Sequence, residues 1–179
     1  TAVKAMIERV NMPDQPSQEM FENKLSEALR ALGPAILENG DKRVWLEDES
    51  QRIGHVNIPH DFWNTMRKAP LYFLEIPFEE RLRHIVAEYG SLDRERMLHA
   101  IGRISKNLGP QHAKEAAILL ENGNTIGSFR ILLKYYDKFY VKAMHNREGL
   151  ETLLHQVTTN TVSLENIHIL LQKTRAALV

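Results

Sequence analysis

The densest group of chemically useful side chains in this sequence is a run of three carboxylates and one hydroxyl: Glu47, Asp48, Glu49 and Ser50. An acid that follows a strand can hold Mg²⁺, often through water, while an arginine further along the chain neutralises phosphate. Arg81, on a predicted helix after residues 75–77, is the candidate for that second part. The same acids are equally compatible with the solvated exit of a strand, and both interpretations stay open at this point.

A short apolar run, residues 44–46, precedes the acids and is predicted to be the strand that positions them, because Val and Trp favour a buried strand. Ligands of open α/β sheets bind at the carboxyl ends of the strands. A second strand is predicted over residues 71–77, which are almost continuously apolar, as in a strand buried on both faces. Residues 153–159 are predicted as a third strand or a loose helix end, with Val157 and the threonines favouring the strand.

Helices are predicted before, between and after these strands. Ser17 is expected to cap the first, Gly33-Pro34 to end it, and Pro59 to begin a short one. Alternation of strand and helix is typical of a parallel sheet with right-handed crossovers, and from Ser91 the pattern changes to three successive helices.

The predicted fold class is therefore α/β: helix-rich, with a partial parallel sheet of the P-loop NTPase type and a small all-helical insertion. Residues 1–90 are expected to form the P-loop-like α/β part, residues 91–146 the helical insertion, and residues 147–179 the return to the α/β part.

Composition narrows the class of protein. Of the 179 residues, Lys plus Arg number 23 and Asp plus Glu number 23, so a surface for nucleic acid would have to come from local clustering. Cysteine is absent, which excludes disulfides, thiolate zinc sites and a cysteine nucleophile within these residues. No apolar run approaches the roughly 18 residues of a membrane span, so a cytoplasmic protein with no membrane partner is the expectation.

A nucleotide-binding P-loop domain also needs a Gly-rich loop ending in Lys and Ser or Thr, because stacked backbone N–H groups must surround the phosphates. This sequence contains no such loop. From the residues alone, the acids after the first predicted strand are a weak signal.

Several longer segments occur in a fixed order: residues 15–23, residues 45–54, Pro59, residues 77–82, and residues 135–140 with Tyr135, Tyr136, Asp137 and Tyr140. Together they resemble the P-loop half of the tRNA 2-selenouridine synthase family. The resemblance runs from about Gln15 to Tyr140, and so covers most of the chain.

The resemblance implies a bacterial tRNA-modifying transferase. In that family the wobble 2-thiouridine of tRNA is geranylated on sulfur from geranyl diphosphate, and selenium from selenophosphate then replaces the sulfur. A rhodanese domain with a catalytic cysteine precedes the P-loop domain in the family. The present chain is thus expected to be a fragment, inactive alone, with further residues before Thr1 or near Arg9 and Val10.

The resemblance also implies roles for individual residues. Glu47, Asp48 and Glu49 would be catalytic acids at the diphosphate end of the site, with Asp48 facing a metal such as Mg²⁺. The substrate and phosphate-binding residues would be Ser17, Gln18, Glu22, Asn23, Ser50, Arg52 and Arg81. For the four on the first helix the alternative is a capped amphipathic helix, and for Arg81 it is an ion pair with Glu79 or Glu88.

Basic and aromatic side chains alternate on the longest predicted helix, and such residues can hold RNA by phosphate contact and stacking. The candidate RNA-binding residues are Lys134, Tyr135, Lys138 and Lys142. The alternative is a solvated face beside a core of Tyr136, Phe139 and Tyr140. No histidines have the spacing of a zinc site.

Two other functions stay open from the sequence. One is a different phosphotransferase of the P-loop class, which the acids and Arg81 would serve. The other is a non-catalytic RNA-binding module that uses the lysines of the longest helix.

Overall fold

The structure is a computed structural model that describes residues 14–39, 44–48 and 50–176. These residues fall into two compact units, one up to Ala69 and the other from Pro70 onward. The junction near Arg9 and Val10 and the predicted acid Glu49 lie outside the described residues.

The first unit consists of two helices and a small hairpin: α1 (Gln18–Asn39), β1 (Arg52–Ile53), β2 (Val56–Asn57) and α2 (His60–Arg67). The predicted cap of α1 is confirmed, because the Met20 N–H donates to Ser17 Oγ at 3.2 Å. Pro59 directly precedes α2, as predicted. The two strands pair antiparallel, Arg52 with Asn57 and Ile53 with Val56, around Gly54, whose φ is 66°.

Two predictions for this unit are wrong. The helix α1 continues past Gly33-Pro34 to Asn39, because proline loses one hydrogen bond but has a helix-compatible φ, and Ala35 to Leu37 favour helix. Residues 44–48 form no strand; Val44, Trp45 and Leu46 are 41 to 46 % exposed, and no described strand pairs with them. The hairpin forms further along, at residues 52–57, where no strand was predicted.

The second unit contains a parallel strand pair and six helices among the residues described: β3 (Leu71–Glu75), α3 (Phe78–Tyr89), α4 (Arg94–Leu108), α5 (Pro110–Glu121), α6 (Thr125–His145), α7 (Leu150–Leu153), β4 (Leu154–Thr158) and α8 (Glu165–Ala176). Strands β3 and β4 pair in register from Leu71 with Leu154 to Glu75 with Thr158. Both predicted strands are therefore confirmed, as is the helix-rich α/β fold class with a small parallel sheet.

Four consecutive helices, α3 to α6, enclose the main core. Its buried members are Leu82, Tyr89, Met97, Ala100, Ile101, Leu108, Ala113, Ala116, Leu120 and Phe129. The turns between the helices follow from local chemistry: Asp93 and Asn124 accept hydrogen bonds from the first turns of α4 and α6, and Gly109 at φ 93° precedes Pro110. This packing holds α6 against α3, which determines the candidate site below. None of the described helices is long and apolar enough to cross a membrane.

Candidate functional site

Two glutamine side chains at the start of α1 fasten the hairpin of the first unit. The Gln18 amide accepts from the Asn57 N–H at 2.8 Å and donates to the Asn57 carbonyl at 2.9 Å. Gln15, three residues before the first residue of α1, makes the same kind of contact: it accepts from the His55 N–H at 3.1 Å and donates to the Ile53 carbonyl at 2.9 Å. Each amide thus takes the place of a strand residue, and the pair fixes the hairpin to the beginning of α1.

Gly54 is the turn residue on which this arrangement depends. Its φ of 66° is one that side-chain-bearing residues rarely adopt, and a Cβ there would lie 2.1 Å from Gln15 Oε1. We expect Gly54→Ala to lower the free energy of unfolding by about 1 to 3 kcal/mol, since it adds backbone strain and displaces the Gln15 amide. Urea unfolding measures this change. The control is Gly123→Ala, also at positive φ (78°) but with open space at its Cβ, which isolates the strain from the displaced amide. An equal effect of both changes would contradict the role given to Gln15.

The predicted acids of the first unit do not form a cluster among the described residues. Asp48 Oδ2 lies 3.5 Å from Arg67 Nη1, and the Arg67 guanidinium lies 5.7 Å from the centre of the Trp63 ring. Glu47 is exposed, and Glu49 is outside the description. Within the described part of the chain, no three His, Asp or Glu side chains form a group that could hold a metal. Asp48 is therefore engaged by a cation from its own unit.

The predicted phosphate-binding residues of the first unit are partly brought together. Gln18 also donates to Glu22 Oε1 at 2.7 Å, which joins two of them on α1. On the hairpin side, Ser50 Oγ accepts from the Arg52 N–H at 3.2 Å, and Arg52 Nε donates to the Gly54 carbonyl at 3.0 Å. Asn23 lies exposed on α1. The hairpin thus holds Ser50 and Arg52 within a hydrogen-bonded structure that Gln18 helps to fix.

In the second unit, Arg81 is positioned at the carboxyl end of β3. Its Nη1 and Nη2 donate to the two Asp137 oxygens at 2.6 and 2.8 Å, and its Nε donates to the Ile76 carbonyl at 3.1 Å. The bidentate bond with Asp137 raises the pKa of Arg81, outweighing the opposing effect of burial. The ion pairs considered from the sequence, with Glu79 or Glu88, do not form; the partner comes from α6, 56 residues away.

Neighbouring charges surround Arg81 without competing for it. Glu79 pairs with Arg130, and that hydrogen bond lowers the pKa of Glu79. Because the folded pKa is lowered, the stabilisation from this pair is present at neutral pH and is lost as the pH falls through the lowered value. The guanidinium groups of Arg81 and Arg130 lie 5.8 and 5.7 Å from the centre of the Phe78 ring. Of these two arginines, only Arg81 therefore pairs with Asp137.

The carboxyl end of the parallel strand pair is closed by further hydrogen bonds. The Thr159 N–H donates to the Glu75 carbonyl at 2.9 Å, and Thr158 Oγ1 donates to Glu75 Oε2 at 3.3 Å. Since this edge is where α/β proteins bind ligands, Arg81 with its Asp137 partner forms the candidate site of the second unit. The Arg81 side chain is 31 % exposed, so it is not fully enclosed by the packing of α6 on α3.

The candidate RNA-binding residues lie on α6. Lys134, Lys138 and Lys142 are exposed, and Tyr135 is half-buried. The alternative placed Phe139 in a core, and this is wrong: Phe139 is 61 % exposed, with its ring centre 6.4 Å from that of Tyr135. Phe139 was missed as a candidate because its apolar character and helical spacing are also those of core residues.

The fold defines a class: a helix-rich α/β domain with a small parallel sheet, which is consistent with a domain of the P-loop type. The family model of the tRNA 2-selenouridine synthase AAA domain matches residues 9–164. The chain therefore belongs to the tRNA 2-selenouridine synthase AAA domain family, which confirms the resemblance seen in the sequence.

Curated relatives agree with this assignment. The chain is 31 % identical to a tRNA 2-selenouridine synthase of Marinobacter nauticus, over 75 % of this chain and 44 % of the relative. It is 28 % identical to the protein of that name in Pseudomonas savastanoi, over 80 % and 46 % of the two chains. The chain spans less than half the length of these relatives. No solved structure matches it.

Proposed function

We propose that the intact protein containing this chain forms 2-selenouridine at the wobble position of tRNA. In the first step the sulfur of 2-thiouridine bonds to the geranyl carbon of geranyl diphosphate, and diphosphate leaves. In the second step the selenium of selenophosphate bonds to C2 of the base, the C2–S bond breaks with loss of geranyl thiol, and water cleaves the P–Se bond to release phosphate. The family membership of the chain supports this activity. A tRNA substrate, which is a soluble molecule, supports a cytoplasmic location.

The fixed position of the Arg81 guanidinium is the observation that carries the proposal. A bidentate bond to Asp137 and a third bond to the Ile76 carbonyl fix its guanidinium at the carboxyl edge of the parallel strands. A guanidinium held in this way is suited to the charge that develops on a departing diphosphate, because it needs little reorganisation when that charge appears. Asp137 acts in the proposal as a positioning residue.

The first unit, taken by itself, is proposed to bind phosphate. The proposed binding residues there are Ser17, Gln18, Glu22, Asn23, Ser50 and Arg52, and the proposed catalytic acids are Glu47, Asp48 and Glu49. A Mg²⁺ ion at Asp48 would have to replace Arg67 as the partner of that carboxylate. The described residues thus do not form a ready metal site, and we route no step through a metal.

The same proposal assigns a role to each segment of the chain. Residues 1–90 would be the P-loop-like α/β part, and residues 147–179 the return to it. Residues 91–146, which contain α4 to α6, would form an insertion that contributes Asp137 to the site and Lys134, Tyr135, Lys138 and Lys142 to tRNA binding.

The test is a two-stage reaction of the purified full-length protein. With tRNA that contains 2-thiouridine and with geranyl diphosphate, mass spectrometry of the digested nucleosides should show the S-geranyl product. Addition of selenophosphate should convert that product to 2-selenouridine. Nucleotide-dependent phosphoryl transfer with unchanged tRNA would instead assign the protein to another class of P-loop phosphotransferase.

A further inference from the structure

Helix α6 has a strongly one-sided charge. Its basic residues are Arg130, Lys134, Lys138, Lys142 and His145, and its one acid is Asp137. Asp137 is bound by Arg81 and Arg130 by Glu79, so these charges are balanced within the unit. The three lysines are exposed and recur every four residues, which places them on one face over about 12 Å of the helix. The charge of Lys134 also acts on Glu79, whose pKa it helps to lower.

Phe139 lies beside this row of lysines. A single exposed apolar side chain is ordinary on a protein surface, and Phe139 alone would carry no argument. It is, however, 61 % exposed between Lys138 and Lys142 in sequence, and its ring lies 6.4 Å from that of Tyr135 at an angle of 29°. The half-buried Tyr135 thus supports an aromatic ring that is presented to solvent among cations.

We propose that Phe139 is a base-stacking residue and that the α6 surface, formed by Lys134, Tyr135, Lys138, Phe139 and Lys142, binds an unpaired segment of the tRNA substrate. Lysines contact the phosphates, and an unstacked base lies on the Phe139 ring. This inference rests on the proposed function, which makes tRNA the partner.

An RNA strand fits this surface better than a membrane does. A helix that binds in a membrane interface presents a broad apolar face over several turns. The exposed apolar residues of α6 are only Ile126, Phe139 and Val141, and Ile126 is more than three turns from Phe139. Three lysines around one aromatic ring match a chain of phosphates with bases between them.

The test measures binding of the full-length protein to tRNA isolated from a strain that lacks the gene. Phe139→Leu keeps an apolar side chain but removes the π face, and should weaken binding by about 5- to 100-fold. Phe139→Tyr keeps the π face and should bind like the natural protein. Replacement of Lys134, Lys138 and Lys142 by Ala should reduce the salt slope, the slope of log affinity against log salt concentration, by about two, since each lysine releases counterions from one phosphate.

The matched control removes three exposed lysines elsewhere, Lys106, Lys114 and Lys173, and should leave the salt slope unchanged. Equal effects of the two triple variants would overturn the proposal, as would wild-type affinity of Phe139→Leu. Lysine-dependent binding to vesicles with anionic lipid, with unchanged tRNA affinity, would assign α6 to a membrane instead. If the natural protein binds and modifies tRNA while the α6 variants match it, only this inference fails; if it binds no tRNA, the proposed function fails too.

Discussion

The change Arg81→Ala is expected to lower kcat/KM for geranylation of tRNA by the full-length protein by about 100-fold or more. Loss of one preorganised group that stabilises developing negative charge has an effect of about this size in other enzymes. Arg81→Lys should not restore the rate, because an ammonium group cannot bond both Asp137 oxygens and the Ile76 carbonyl in a planar fork. Steady-state kinetics with geranyl diphosphate as the varied substrate measures the effect.

Arg83 provides the matched control for Arg81. It lies on the same helix, is 71 % exposed, and pairs with Glu80 one turn away. Arg83→Ala should therefore leave kcat/KM within about twofold, because an exposed pair of this kind contributes little. The thermal transition of each variant shows whether the fold is retained. Wild-type kcat/KM in a folded Arg81→Ala variant would contradict the role of Arg81 at the diphosphate.

Asp137→Asn separates positioning from contact. The amide keeps the shape of the side chain but removes the charge that fixes the Arg81 guanidinium. Because Arg81 acts on charge that develops in the transition state, kcat for geranylation should fall more than KM for geranyl diphosphate rises. Weaker tRNA binding with unchanged kcat and KM for geranyl diphosphate would instead place Asp137 in the RNA surface of α6.

The largest loss of stability is expected from Leu120→Ala, at about 2 to 5 kcal/mol. Leu120 is 1 % exposed within the core that α3 to α6 form, so the change removes buried methyl groups and leaves a cavity. Leu164→Ala is the same substitution at a side chain that is 82 % exposed, and should change the free energy of unfolding by about 0.5 kcal/mol or less. Urea unfolding of the full-length protein, followed by circular dichroism of the helices, compares the two. Similar values for both would contradict the assignment of the core.

The second unit was largely predictable from the sequence. Residues 71–77 and the helices after Ser91 have long apolar patterns with clear end signals, such as Gly109-Pro110, and the structure has the corresponding elements. The strand over residues 44–46 was wrong because a short apolar run becomes a strand only where a partner is available. The continuation of α1 through Pro34 shows that a helix tolerates the loss of one hydrogen bond when the residues beyond favour it.

The candidate site was only partly predictable, because its contacts join distant parts of the chain. Arg81 and Asp137 both lie in segments that resemble the family, yet their bidentate bond depends on how α6 packs against α3. The Gln15 and Gln18 bonds to the hairpin span 38 to 40 residues in the same way. Phe139 was assigned to the core because helical spacing alone does not distinguish a buried aromatic from an exposed one.

Nucleoside analysis of tRNA from a strain that lacks the gene tests the central claim most directly. We predict that 2-selenouridine is absent from this tRNA while 2-thiouridine accumulates, that the natural gene restores 2-selenouridine, and that a gene with Arg81→Ala does not. Normal 2-selenouridine in the strain without the gene would contradict the proposed function.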